Sequence, residues 1–169
     1  VCHRQSKEEL IKNVYDRQDK VYKEKIALED MLVKAHFEAK FAWDKGATEK
    51  MMEPVMKLIR QAQWRWDFVA ASHGASFHAP LECMRIIADG MNKASQARLE
   101  LTRILADLGH NKPVELPDIS TKDKAQTAIG LDMSKLKSEK KTWKETKLPE
   151  WLKKAEERQK QMPLPAKIM

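Results

Sequence analysis

Three residues at the start of the sequence, Val1-Cys2-His3, could carry redox chemistry. In a C-x-x-C-H motif, two thiols form thioethers with the vinyl groups of a haem, and the adjacent histidine binds the haem iron. Only x-C-H is present here, because the first cysteine would lie two positions before Val1. On these three residues alone, chance explains the pattern as well as haem attachment does.

Two further histidines, His73 and His78, lie close to Gly74 and between two stretches with helical periodicity. A histidine on a short connection between two rigid helices is well placed to bind an iron from the side opposite its first histidine. A haem with two histidine ligands has no open position, so it transfers electrons and does not bind substrate. The alternative is a structural histidine at a helix–helix corner.

Other chemistries have no pattern in the sequence. There is no Gly-rich phosphate loop, no complete zinc-ligand spacing and no Ser-His-Asp arrangement. We assign no function to His36 or His110, and we interpret Cys83 as a small buried apolar residue. Taken without any relative, these residues favour a non-enzymatic, all-α dimerisation domain that holds no cofactor.

The longest element predicted is a helix of about 40 residues, from Ser6 to Lys45. Ser6 and Glu9 form a capping box at its start, and Gly46 is a suitable residue to end it. A coiled-coil-like seam of apolar residues follows one face of this helix, and it consists of Val14, Val21, Leu28, Leu32, Ala35, Ala39 and Ala42. Such a seam needs a partner helix, either from this chain or from a second copy, and we interpret it as a dimer seam.

The rest of the chain also reads as helix. Thr48 can cap a second helix, whose regular structure is expected to start or restart at Pro54 and to end at Gly74. A loop of residues 75–79 is followed by a third helix that opens at Pro80 and ends at Gly109. Gly90 lies within that helix and marks a close contact. The chain continues with a proline-punctuated connection and a short helix capped by Thr121. It ends with a Lys-rich helix of residues 134–161, which is interrupted near Pro149 and anchored by Trp143 and Trp151.

The charge pattern argues against a nucleic-acid partner. The 169 residues carry a net charge of +7, but lysine and glutamate are interspersed along the whole chain and do not gather in one block. The aromatic residues do not alternate with basic residues as a base-stacking surface requires. No apolar run approaches the roughly 20 residues that cross a bilayer.

Several stretches together resemble the pentahaem, ammonia-forming cytochrome c nitrite reductases, in order and spacing from end to end. They are residues 33–40 with Trp43, 61–68, 71–74, 77–80, 117–122 and 129–133. The resemblance implies that Val1-Cys2-His3 is the second half of the fifth haem-attachment motif. Cys2 would then form the second thioether and His3 would be the proximal iron ligand. His78 matches the distal ligand of another haem, the fourth, whereas His73 matches no ligand.

The resemblance also implies an activity and partners. It implies a periplasmic enzyme that reduces nitrite to ammonium by six electrons at a lysine-ligated haem, with several haem c groups and a calcium ion. Long helices would form a homodimer, and a membrane-associated cytochrome c would donate electrons. The catalytic residues and the calcium ligands lie upstream in that family, so this chain alone lacks them.

Three regions are expected on this basis. Residues 1–5 would be the remnant of the haem-attachment motif, and residues 6–110 a three-helix region that dimerises and ligates haem. Residues 111–169 would hold the proline-punctuated linker and the Lys-rich C-terminal helices. We expect the sequence to be a piece of a longer protein, with its upstream part as a partner, and expect it to form the all-α C-terminal region of a multihaem cytochrome c.

Overall fold

The computed structural model describes residues 4–162, so Val1, Cys2 and His3 lie outside the described residues. The described chain is all-helical and contains no strand, which confirms the predicted fold class. The elements are α1 (Lys7–Asp44), α2 (Glu49–Ala71), α3 (Ala75–His78), α4 (Pro80–Asp107), α5 (Lys122–Ala128), α6 (Met133–Thr146) and α7 (Leu148–Gln161). None of the helices in this range is long and apolar enough to cross a membrane.

The predicted 40-residue helix is α1, with 38 residues. The Ser6 hydroxyl accepts a hydrogen bond from the Glu9 backbone N–H, and the Glu9 carboxylate accepts one from the Ser6 N–H, which completes the predicted capping box. After the helix, Gly46 has a φ of +95°, a conformation that side chains with a Cβ rarely adopt. Both ends of α1 are therefore set by the local signals read from the sequence.

The seam of α1 is covered by helices of its own chain. From Val21 onwards its residues are buried, in two clusters that α2 and α4 complete. The cluster nearer the start of α1 contains Val21, Leu28 and Leu32, and the other contains small residues of the seam, namely Ala35, Ala39 and Ala42. The interpretation of this face as a dimer seam is therefore wrong for residues 21–42. Periodicity identified the apolar face, but α2 and α4 already bury it.

Helix α2 confirms the predicted Thr48 cap, but it differs from prediction at Pro54 and at its C-terminal end. It begins at Glu49, directly after the Thr48 cap, and it runs through Pro54. A proline in the second turn removes only the hydrogen bond to the carbonyl of Lys50, so the expected restart at Pro54 is wrong. The helix ends at Ala71, and residues 75–78, expected in a loop, form the single turn α3.

Helix α4 opens at Pro80 as predicted, and it has a glycine where it crosses the other long helices. A Cβ at Gly90 would lie 2.7 Å from Cδ2 of Leu28 on α1 and 3.3 Å from Cβ of Arg65 on α2. Both distances are shorter than ordinary van der Waals contacts. The predicted close contact is confirmed, and it brings the three long helices together at one point.

The described residues divide into two compact units, with the boundary between Leu116 and Pro117. The second unit contains α5, α6 and α7. Thr121 caps α5 by accepting from the Lys124 N–H, and Asp132 caps α6 by accepting from the Ser134 and Lys135 N–H groups. None of the described residues of this unit is buried, and the proposed anchors Trp143 and Trp151 are exposed.

Candidate functional site

His78, the one predicted ligand within the described residues, is the last residue of α3. Its backbone N–H donates to the Gly74 carbonyl at 3.0 Å, and α4 starts two residues later at Pro80. The side chain is exposed, and no hydrogen bond to its imidazole is found among the described residues. The structure therefore presents, at the corner between two long helices, an exposed imidazole without a hydrogen-bond partner among residues 4–162.

Helix α1 holds the α3 turn from outside. Arg17 Nη1 donates to the Phe77 carbonyl oxygen at 3.4 Å, and the Arg17 guanidinium lies 5.3 Å from the centroid of the Phe77 ring. The Phe77 and His78 rings meet edge to face, with centroids 5.0 Å apart and planes at 67°. A Cβ at Gly74 would lie 3.6 Å from Cδ2 of His78, an ordinary contact.

The donor set fits a haem better than it fits a bare metal ion. Within residues 4–162 there is no group of three or more histidine, cysteine, aspartate or glutamate side chains that could hold a metal. A zinc site needs three or four protein ligands. In a haem, the porphyrin supplies four nitrogens to the iron, and the protein needs to supply only one axial ligand on each side. A single free imidazole such as that of His78 is sufficient for that role.

Cys2 and His3 lie outside the described residues, so their assignment as thioether and proximal ligand stays a prediction. Cys83 is buried in the core with α1 and α2, as predicted, and burial raises the pKa of its thiol. A buried, protonated thiol is not a candidate for haem attachment.

The other histidines occupy different environments. His73 and His36 are exposed, the first on the turn after α2 and the second on α1. His110 follows α4, and its ring packs edge to face on Phe41 at 4.8 Å. Its Nε2 is buried without a hydrogen-bond partner. The structure does not bring these three histidines together with His78 in a metal-binding group.

A groove of about 550 Å³ lies between α1, α4 and the segment after α4. Its polar part is the ion pair of Glu38 and Arg98, in which Nη2 lies 2.6 Å from Oε1 and Nε lies 2.9 Å from Oε2. The hydrogen bonds with Glu38 raise the pKa of Arg98. This pair joins α1 to α4, so we interpret it as structural.

Sequence reasoning missed Arg17 and Phe77. The two residues are 60 positions apart, and the contact exists only because α1 folds back beside α3. Phe77 stands next to His78 in the sequence, which was the one available signal. Nothing in the periodicity of α1 separates Arg17 from the other basic residues on its exposed faces.

Comparison with known proteins gives the class. The sequence profile of the family described as cytochrome c552 matches residues 1–161. Among the relatives are proteins named cytochrome c-552 from Porphyromonas gingivalis, 58% identical over 154 residues, and from Bacteroides fragilis, 57% identical over 155 residues. The alignments cover 91% and 92% of this chain, but 31% of each relative.

A third relative, the cytochrome c-552 of Parabacteroides distasonis, is 56% identical over 157 residues. That alignment covers 93% of this chain and 32% of the relative, so the chain spans about a third of the length of the proteins it matches. The chain belongs to the cytochrome c552 family. The family name implies haem c as cofactor, in agreement with the free imidazole of His78.

Proposed function

We propose that this chain is the C-terminal part of a periplasmic multihaem cytochrome c nitrite reductase that forms ammonium. The reaction consumes six electrons and eight protons for each nitrite and yields one ammonium and two water molecules. This part contributes haem ligands, while the catalytic haem and the calcium ligands belong to the upstream part. The observation that carries the proposal is the exposed, unbonded imidazole of His78 in a chain of the cytochrome c552 family.

The residues of this chain have three roles in the proposal. Cys2 forms a thioether to one haem, and His3 is its proximal iron ligand. His78 is the distal ligand of another haem. When bound, haems with two histidine ligands pass electrons singly toward the catalytic haem. The α2–α4 corner holds the His78 side chain outside the core, and within residues 4–116 no side chain forms a hydrogen bond with its imidazole.

The experiment compares His78→Ala with His73→Ala in the full-length, haem-loaded protein. His73 is the matched control, because it is an exposed histidine five residues earlier near the same corner. We expect His78→Ala to convert one low-spin haem to a high-spin or labile form in the electron paramagnetic resonance spectrum. Ammonium production from nitrite with a reduced viologen dye should slow in the same variant. Unchanged spectra in His78→Ala would contradict the ligand role, and a wild-type sample that yields no ammonium would contradict the activity.

In this proposal the homodimer contact lies on another face of α1, because α2 and α4 already cover the seam. Ile11, Tyr15, Tyr22 and Ile26 follow one another at helical spacing, and 39–60% of each side chain is exposed. This exposed α1 stripe is long enough to pair with its copy in a second protomer. In sedimentation of the full-length protein, Tyr22→Glu should shift the population toward monomer, whereas Tyr22→Phe should not. An unshifted profile for Tyr22→Glu would place the dimer contact elsewhere.

The physiological electron donor in the proposal is a membrane-associated cytochrome c, and nucleic acid has no part in it. Reduction of the purified enzyme by membranes that contain the donor, and failure by membranes that lack it, is the measurement that tests this partner. The periplasmic location is tested by fractionation of the source cells, in which the haem-stained band should be released with the periplasm. A cytoplasmic band would overturn that location.

A further inference from the structure

The geometry points to a positioning role for Arg17 and Phe77, which together clamp the α3 turn and set the orientation of the His78 imidazole. This inference rests on the proposed ligand role of His78. It adds two residues that touch neither the iron nor the substrate. Both act through the histidine.

The α3 turn cannot define the imidazole position by itself. It has four residues, and the first turn of a helix is costly because several backbone dihedrals are fixed for one hydrogen bond. Its backbone bonds run from His78 N–H to the Gly74 carbonyl and from Ala79 N–H to the Ala75 carbonyl, at 3.0 and 2.8 Å. These bonds shape the turn but do not fasten it to the rest of the unit.

At the start of the turn, Ala75 packs against the core cluster that contains Val21 and Leu28, and the contact with α1 adds an attachment at the Phe77 end. The Arg17 guanidinium reaches the turn at two points, the Phe77 carbonyl oxygen at 3.4 Å and the face of the Phe77 ring at 5.3 Å. Phe77 is only partly buried, and without the guanidinium its ring could take another rotamer. The clamp therefore fixes the ring from outside.

The ring in turn limits the imidazole. The Phe77 ring meets that of His78 edge to face at 5.0 Å, and Cδ2 of the imidazole lies 3.6 Å from the position that a Cβ would take at Gly74. An exposed histidine without such neighbours samples several rotamers, and each rotamer aims its Nε2 in a different direction. An axial ligand that is held in one rotamer binds iron more tightly, because it loses less conformational freedom when it binds.

The experiment measures how easily carbon monoxide displaces His78 in the reduced, full-length, haem-loaded protein. The catalytic haem of the proposed enzyme binds carbon monoxide in every variant, so the readout is additional binding relative to the unsubstituted protein. Arg17→Ala should raise the affinity of the His78 haem for carbon monoxide about fivefold, the factor equivalent to about 1 kcal/mol. Arg17→Lys keeps the positive charge but lacks the planar guanidinium, so its affinity for carbon monoxide should lie between those of Arg17→Ala and the unsubstituted protein.

Lys45→Ala is the matched control, because Lys45 lies 5.3 Å from the Phe41 ring centroid, the same distance as in the clamp, but at the other end of α1. It should leave carbon monoxide binding unchanged. Phe77→Leu is a second test, which removes the aromatic ring but leaves Arg17 and the buried core unchanged. It should also raise the affinity for carbon monoxide.

The outcomes separate this inference from the proposed function. If His78→Ala opens a haem to carbon monoxide while Arg17→Ala and Phe77→Leu behave as wild type, the clamp is overturned and the ligand role stands. If His78→Ala opens no haem, the proposed ligand role itself fails. An equal rise in Lys45→Ala would show a general loosening of α1, and it would also overturn the clamp.

Discussion

Residues 4–116 and residues 117–162 are both helical, but they use their apolar side chains in opposite ways. In the first unit, α1, α2 and α4 bury two clusters of side chains against one another. In the second, none of the described residues is buried, and large apolar side chains are exposed, such as Ile129, Leu136, Trp143, Trp151 and Leu152. Both units have amphipathic periodicity, but among the described residues only the first has a core. The periodicity therefore predicts a helix with an apolar face, and it does not predict that this face is buried.

The difference has a physical origin in helix length. Helices of 38, 23 and 28 residues can each bury a long stripe against two neighbours. Two helices of 14 residues and one of 7 offer less apolar area, and isolated helices of that length are marginal in water. Caps and exposed lysine–glutamate pairs, such as Lys135 with Glu139 at 3.9 Å, then support the second unit.

The largest expected effect comes from the same substitution made once in each unit. Leu28→Ala removes a side chain that is 0% exposed, and it should lower the free energy of unfolding by about 2–5 kcal/mol, because lost contacts and a residual cavity add. Leu136→Ala removes a leucine that is 42% exposed, and it should change the same quantity by less than about 0.5 kcal/mol. Urea denaturation followed by circular dichroism measures both. Equal losses would show that α6 packs in a core of its own.

A smaller effect is expected where the three long helices cross. Gly90→Ala improves helix propensity by about 1 kcal/mol, but the new methyl would lie 2.7 Å from Cδ2 of Leu28, which is fully buried, and 3.3 Å from Cβ of Arg65. Overpacking of this kind costs about 1–3 kcal/mol, so the net result should be a loss of stability. Ser95→Ala is the control, an exposed position on the same helix where a gain in propensity has no clash. A more stable Gly90→Ala protein would contradict the close approach.

The smallest effect concerns the cap of α6 and its dependence on pH. Hydrogen bonds from the Lys135 backbone and from Ser134 hold the pKa of Asp132 below its ordinary value of 3.8. Because the folded pKa is lowered, the stabilisation is present above pH 3.8 and is lost as the pH falls through the folded pKa. The Lys135 amide should therefore lose its hydrogen-exchange protection in acid.

Asp132→Asn is the control for that titration, since asparagine caps helices well and does not titrate in this range. Its Lys135 amide should show a flatter acid profile. If wild type and Asp132→Asn lose protection over the same pH range, the cap does not account for the acid sensitivity of this unit.

Local signals allowed most helix ends to be predicted. The capping box of Ser6 and Glu9, the Thr48 cap and the Pro80 start depend on neighbouring residues, so the sequence contains them in readable form. The errors at Pro54 and in residues 75–78 have a related cause. A proline near a helix start removes one hydrogen bond, and a single turn is too short to leave a periodic pattern.

Non-local packing could not be predicted. The seam pattern showed which face of α1 is apolar, but not that α2 and α4 cover it. For the site, the resemblance supplied His78, whereas the Arg17 contact with Phe77 depends on how α1 folds back on α3. The two residues share no spacing rule.

The taper of the α1 seam, from valine and leucine to alanine, sets how this chain can change through evolution. At the Leu28 and Leu32 end, helices are spaced for large side chains, so drift should proceed through isoleucine, methionine or valine with adjustment of neighbours. At the other end, Ala35, Ala39 and Ala42 are buried, and a larger side chain would overpack the core, so substitutions should be confined to glycine or serine. One helix therefore accumulates substitutions of different kinds along its length. Sequences of distant relatives should diverge first at the leucine end.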